Sequence, residues 1–258
     1  MELTARGLSC GYGKRPVIRG IDLSLSEGEV LCVLGPNGSG KTTLLKALMR
    51  FLPLTDGRVE MDGTDAKELP LAAFARIMSY IPQTHTPAFS YTVEEMSMMG
   101  RAGHIPPLGT PGKRDKEAVE EALKKLHILH LKDQYYTEIS GGERRLALIA
   151  RALCQQARIL VMDEPSSDLD YANQQLVQDT VRELKREGYG IILSTHAPEY
   201  PFSVATRVLL LKNGETVAYG PPEDALRAET LLQAFGVPMD VAEVTDSRGN
   251  KRKMCLPI

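Results

Sequence analysis

The sequence predicts an α/β fold with a mostly parallel sheet and a helical insertion, on three observations. First, the apolar run "VLCVL" enters a glycine-rich loop and leaves it as the helical pattern "TTLLKALMRFL", a strand–loop–helix order. Second, "ARILVMDEP", "GIILSTH" and "RVLLLKNG" are short apolar runs, the first two separated by the helical pattern "ANQQLVQDTVRELKREG". Strands that alternate with helices lie parallel and carry the helices on both faces. Third, the character of the chain changes between residues 84 and 138, where methionines, prolines and glycines gather.

Taken in order, residues 1 to 34 alternate apolar and polar side chains, as strands do, and end in "VLCVL". The helix after the glycine-rich loop is expected to stop at Pro53. "DGRVEMDG" reads as a short strand between turns. In the insertion, "VEEMSMMGR" is followed by "HIPPLGTPGK" and then by "DKEAVEEALKKLHIL". The last is a helix supported by Glu120–Lys124 and Glu121–Lys125 pairs four residues apart. The basic cluster "RGNKRK" reads as a solvated hairpin, with Gly249 and Asn250 between two strand-like runs.

Composition narrows the function. With 258 residues, 43% hydrophobic and 25% charged, the chain is long enough for a sizeable core. A formal net charge of −2 and no basic arm argue against a general nucleic-acid binder. Cys10, Cys32, Cys154 and Cys255 lie far apart, with no zinc or disulfide spacing. Cys32 and Cys154 sit in apolar runs and read as buried thiols, which suits a reducing cytoplasm. No signal-peptide pattern opens the chain, and no run reaches the roughly 18 apolar residues of a membrane span. Any role at a membrane therefore runs through a partner.

The chemistry lies in short motifs. "GPNGSGKT", Gly35 to Thr42, fits the G-x-x-x-x-G-K-[ST] phosphate loop. Gly35, Pro36, Asn37, Gly38, Ser39 and Gly40 supply a backbone that can wrap a polyphosphate, Lys41 brings positive charge, and the Thr42 hydroxyl can ligate Mg²⁺. "ILVMDEP" ends a strand in two carboxylates. Asp163 suits Mg²⁺ coordination, and Glu164 can polarise an attacking water. His196, in "STH", follows another strand, so it lands on the edge where such sheets bind ligands. Gln83, in "YIPQ", is a neutral Mg²⁺ or water ligand where the core strand gives way to the insertion. Tyr12, between glycines, can stack on a purine.

One stretch asks for more. "EISGGERRLALIARAL" is a strong helix opened by Ser140 and Glu143 as a capping box. That pair does not explain Gly141 and Gly142, which cost roughly 1 kcal/mol each relative to alanine inside a helix. Glycines at a helix start leave the first backbone N–H groups bare, and bare N–H groups there bind anions.

With these motifs in order, the chain resembles the nucleotide-binding subunit of ABC transporters over nearly its whole length. "GPNGSGKT", running on into Thr43, matches Walker A, Gln83 the Q-loop, "ISGGE" the family signature and "ILVMDE" Walker B. "SSDLD", ending at Asp170, matches the D-loop, His196 the switch histidine and Tyr12 the adenine-stacking aromatic. The signature departs from the usual leucine-serine-glycine-glycine-glutamine at Ile139 and Glu143, yet keeps the serine hydroxyl and the glycine amides.

The resemblance implies a P-loop NTPase core with an antiparallel β subdomain, all within one ATPase domain, 1–258. Residues 84–138 and the signature helix to about 155 form its helical subdomain, and 240–258 a short C-terminal extension. It implies ATP and Mg²⁺ as cofactors. It also implies a head-to-tail dimer with a second copy of the chain, in which Ser140, Gly141 and Gly142 meet the γ-phosphate held by the partner. Transmembrane permease subunits, and indirectly a substrate-binding protein, are the implied partners, at the cytoplasmic face of the cell membrane. A finer resemblance, through "SGGERRLALIARAL", "SSDLDYANQ" and "YTVEEMSMMGR", is to importers of siderophores, haem or cobalamin. Importers of another metal or an oxyanion, and a soluble ABC ATPase such as an iron–sulfur assembly scaffold component, are the alternatives. A GTPase-type switch is disfavoured, because no N-K-x-D motif is present.

Overall fold

The computed structural model describes residues 1–13, 15–106, 108–245, 249 and 251–258. The chain divides into two compact units, Met1–Leu69 with Leu184–Ile258, and Pro70–Glu183. The α/β expectation is met, with parallel strands, antiparallel sheets and helices all present.

The first unit holds an antiparallel sheet in which Glu2–Tyr12 lies between Arg15–Ser26 and Leu54–Met61, with Thr64–Asp65 at the far edge. Leu3, Ala5, Leu8 and Cys10 turn inward from the central strand. Their spacing skips a beat between Ala5 and Leu8, where the register with Arg15–Ser26 shifts. A bulge of this kind keeps apolar side chains on the buried face after one extra residue.

The same unit contains Val30–Leu34 between Gly190–Thr195 and Arg207–Lys212, parallel to both. Glu215–Gly220 closes this group antiparallel to Arg207–Lys212. All five side chains of Val30–Leu34 are buried, which explains why "VLCVL" does not alternate: a strand covered on both faces has no polar side to show. Met239–Thr245 and Lys251–Pro257 pair as the expected hairpin, and Asn250 of its predicted turn lies outside the described residues.

The second unit contains Met78–Ile81 parallel to Ile159–Met162. The helices Val93–Met98 and Lys113–Lys125 pack on Gly141–Cys154. Arg101, buried in the turn Met99–Arg101, ties these pieces together. Its Nε lies 2.9 Å from Asp115 Oδ1 and its Nη1 donates to Cys154 O at 2.8 Å. The Gly112 N–H, then Arg101, hold the Asp115 carboxyl below the usual carboxylate range. Glu120 pairs with Lys124 on the exposed side of the same helix.

One boundary differs from expectation. The helix after the glycine-rich loop runs only from Lys41 to Leu48, well short of Pro53. Arg50 adopts a left-handed backbone at φ 60°, and Phe51 and Leu52 donate back to Lys46 O. Arg50 Nη1 then donates to Leu69 O at 2.9 Å, so a local turn ends the helix before proline acts.

Burial pushes the thiols up, Cys10 to about 11 and Cys154 to about 12, and Cys32 further in the same direction. Both thiols expected to be buried, Cys32 and Cys154, are buried.

A polar clamp joins the strand Met78–Ile81 to the end of the helix Gly141–Cys154. Gln155 Nε2 donates to Ala75 O at 2.6 Å and Met78 O at 2.9 Å, and its Oε1 accepts from the buried Ser79 hydroxyl at 2.9 Å. Gln155→Leu removes all three bonds and leaves the Ser79 hydroxyl buried without a partner. The expected loss is about 2 kcal/mol of stability, read from the urea midpoint. A loss below about 0.5 kcal/mol, the usual size of a neutral surface change, would show the clamp to be ornamental.

Candidate active site

In the first unit, parallel pairing sets the position of two candidates. Leu34 and Thr195 are partners in register, and Gly35 N donates to Thr195 O at 3.3 Å. The glycine-rich loop and the exposed His196 therefore leave the same edge of the sheet. Tyr12 is half-exposed at the end of its strand.

The loop has the geometry of an anion cradle. Gly38 and Gly40 adopt left-handed backbones, at φ 80° and 102°, which non-glycine residues adopt only at a cost. A Cβ at Gly40 would lie 2.6 Å from Ile18 Cδ1, so any other residue there would also have to displace the tip of that buried side chain. Gly40 is the N-cap of Lys41–Leu48 and offers no side-chain cap, so the first N–H groups of that helix face the loop. Lys41 is buried, and its Nζ donates to Gly35 O at 2.9 Å and Pro36 O at 3.2 Å. Ser39 Oγ is buried with no hydrogen-bond partner among the described residues. Pro36 is half-buried, Asn37 exposed, Thr42 half-buried and Thr43 buried. An orphaned hydroxyl, a curled lysine and uncapped amides fit a polyphosphate.

The second unit repeats the device. Ile81 and Met162 are partners in register, and Asp163 N donates to Ile81 O at 2.9 Å. Gln83 and the carboxylates thus emerge from adjacent strand ends. Asp163 is buried and accepts from Tyr80 Oη at 3.1 Å. Glu164 is half-buried with a left-handed backbone, φ 43°. Such strain in a glutamate persists only where its surroundings enforce it. Here Ser167 supplies two bonds to Glu164 O, from its N at 3.1 Å and its Oγ at 3.0 Å. Gln83 Nε2 in turn reaches Ser167 Oγ at 3.4 Å.

The opening of the helix Gly141–Cys154 differs from its sequence reading in one respect. Ser140 and Glu143 do form a capping box: Ser140 Oγ accepts from Glu143 N at 3.3 Å and Glu143 Oε2 from Ser140 N at 2.8 Å. The Ser140 hydroxyl, then its N–H, hold the Glu143 carboxyl below the usual range. Ser140 and Gly141 are exposed, but Gly142 is buried. A Cβ on Gly141 would touch only Leu169 Cδ2, at 3.6 Å, whereas one on Gly142 would collide with the Asn173 side chain. The two glycines therefore answer different demands: the first keeps the helix start open, the second lets Asn173 pack against it. Exposed Asp170 caps the next helix by accepting from Asn173 N at 2.8 Å.

Three contributors were missed in the sequence. Asn173 and Tyr80 carry no local signal. Arg145 does, because it shares a helical face with Leu148 and Ile149 and so puts a charge on the apolar stripe. It is buried, and its guanidinium grips the carbonyls of Pro82 and Gln83.

Comparison with known proteins gives this geometry a context. The family described as ABC transporter matches residues 18–167. The hemin import ATP-binding protein of Streptomyces coelicolor is 35% identical over 237 residues, 92% of this chain and 84% of that protein. A solved chain from a metal-chelate type ABC transporter, in an inward-facing conformation, is similar at a TM-score of 0.89 and 28% identity, covering 99% of this chain and 96% of that one. An ATP-binding cassette of an ABC transporter in its ADP conformation reaches 0.82 at 26% identity, covering 92% and 98%. The family match takes in the glycine-rich loop, Gln83, the Ser140–Gly141 pair and both carboxylates, and the chain belongs to the ABC transporter family as an ATP-binding subunit with ATPase activity.

Proposed function

We propose that the chain binds and hydrolyses ATP with the residues of the family's motifs, and that it powers import of a metal chelate through a membrane permease. The family match, which runs through the glycine-rich loop and the strand-end carboxylates, supports the nucleotide reading. Lys41 and the loop amides bind the phosphates, and Tyr12 stacks on the adenine. Glu164 takes the proton of the attacking water, while His196 contacts the γ-phosphate. Thr42, Asp163 and Gln83 would hold Mg²⁺, which supplies positive charge against the phosphate oxygens when bound. Their hydroxyl, carboxylate and amide oxygens suit a hard cation.

The open helix start at Ser140 and Gly141 carries the dimer reading. It is exposed, and its own chain leaves room at Gly141. It suits the γ-phosphate of an ATP held by a second copy packed head to tail, with Asp170 next in the chain to Leu169, the residue that a Cβ on Gly141 would touch. The domain plan follows the family: one ATPase domain over 1–258, a helical subdomain of 84–138 with the signature helix to about 155, and an extension at 240–258.

The permease reading draws on an apolar surface in the inserted segment. Phe89 is 71% and Tyr135 45% exposed. Phe89 meets Tyr91 edge to face, with ring centroids 6.1 Å apart, and Tyr135 bridges to Thr92. Exposed aromatics held this way are costly unless a partner covers them. Among the described residues no helix is long and apolar enough to cross a membrane, so attachment to the cytoplasmic face runs through the permease. The names of the hemin import relative and the metal-chelate transporter support iron-siderophore, haem or cobalamin as cargo, delivered to the permease by a substrate-binding protein.

Glu164→Gln should bind ATP with native affinity and lose at least about 100-fold in kcat, since only proton transfer is removed. Lys41→Ala should weaken ATP binding at least about 10-fold by losing a charge-assisted contact. Equilibrium ATP binding and phosphate release separate the two, and native turnover by Glu164→Gln would remove it from the role of base.

Sharing across a dimer is best tested at Gly141, because a side chain at Gly142 also strikes Asn173. Gly141→Asp should keep ATP binding and lose turnover, as a carboxylate now faces the partner's phosphate. Mixed with Lys41→Ala, it should regain activity in heterodimers that carry one whole site. No recovery at any mixing ratio would count against sharing.

Phe89→Asp should leave the basal ATPase of the isolated chain unchanged and abolish co-purification with a multi-span membrane protein from solubilised membranes. Native co-purification would move the permease surface elsewhere.

A further inference from the structure

Arg145 is a buried cation in an unusual setting. Its Nη1 donates to Pro82 O and its Nη2 to Gln83 O, both at 2.7 Å. Among the described residues no carboxylate lies within ion-pairing distance of it. Burying an unpaired charge is expensive, and a neutral amide would meet a backbone carbonyl at less cost. What a guanidinium adds is a planar fork that holds two acceptors at once. Burial lowers its pKa, while Tyr136, Asp163 and Asp168 favour its charge.

The two carbonyls belong to the residues where the strand Met78–Ile81 hands over to the inserted segment. Gln83 hangs from this point, and its side chain reaches Ser167 Oγ at 3.4 Å. Ser167 in turn bonds the carbonyl of the strained Glu164. Arg145 itself sits four residues beyond Gly141, on the helix whose open start faces solvent.

We propose that Arg145 is a positioning residue for Gln83: anchored in the signature helix, its guanidinium fixes the Pro82 and Gln83 carbonyls and thereby the direction of the Gln83 side chain. A shift of that helix is then transmitted to Gln83 through two short bonds. The inference rests on the reading of Gln83 as a residue that faces the nucleotide.

The test is a cycle of variants in the full chain. Arg145→Gln should lower the kcat for ATP at least about 10-fold with KM changed less than about 3-fold, because misplacement of an active-site group costs rate more than binding. Arg145→Lys, which keeps the charge without the fork, should recover only part of the loss. Amide hydrogen exchange over residues 83–90 should accelerate at least about 10-fold in Arg145→Gln, with residues 141–154 unchanged, since the opening is local.

In a Gln83→Ala background, Arg145→Gln should cost less than about 2-fold more, because a residue that acts through another adds little once the other is gone. Equal losses in both backgrounds, or exchange raised throughout the chain, would overturn the proposal. Should Arg145→Gln fail to fold, Arg145→Lys carries the same cycle. If Gln83→Ala alone leaves kcat native, the nucleotide reading of Gln83 fails first and takes this inference with it.

Discussion

Parallel pairing is the constraint on which the candidate residues depend. Antiparallel neighbours send their chain ends to opposite edges, whereas parallel neighbours deliver their carboxyl ends together. In the first unit this brings the end of Val30–Leu34 beside the end of Gly190–Thr195, and with them the glycine-rich loop and His196. In the second it brings Gln83 beside Asp163 and Glu164. Residues far apart in sequence gain a common edge from backbone hydrogen bonds alone, before any side chain is chosen. The side chains of Val30–Leu34 and Ile159–Met162 serve this pairing by being apolar throughout, as suits strands covered on both faces.

Two helix starts then present backbone N–H groups, and they keep them open differently. At Gly40 no side chain caps the helix, the backbone is left-handed, and a Cβ would strike Ile18. At Ser140 the capping box uses the N–H groups of Ser140 and Glu143, and openness is left to Gly141. Gly142 is glycine for packing against Asn173. Similar runs of glycine thus serve conformation, access and close approach at three neighbouring kinds of position.

Within the second unit, buried polar side chains fasten segments by gripping carbonyls. Arg101 holds Cys154 O, Arg145 holds Pro82 and Gln83, and Gln155 holds Ala75 and Met78. Each satisfies an acceptor that its own helix or strand leaves over. Polar fasteners of this sort have defined geometry, unlike apolar contacts, so they suit a unit whose strand ends must present particular side chains.

Much of this was legible in the sequence by itself. The α/β class followed from apolar runs alternating with helical periods. The glycine-rich loop, the strand-end carboxylates, the capping box and the hairpin followed from local chemistry: φ angles that favour glycine, a hydroxyl three residues from a carboxylate, a strand too apolar to face water. The family followed from the order of these motifs. Each of those properties is set within a few residues, so the sequence displays it directly. Tertiary structure decided what depends on distant neighbours. Only packing separated exposed Gly141 from buried Gly142, because Asn173 lies 31 positions further along the chain. Only packing brought Arg145 to carbonyls 62 and 63 residues away. The helix after Lys41 ended early because Arg50 turned back toward Leu69, a contact that helix propensity does not contain. Local conformation is written residue by residue, whereas a partner across the fold exists only once the chain has closed around it.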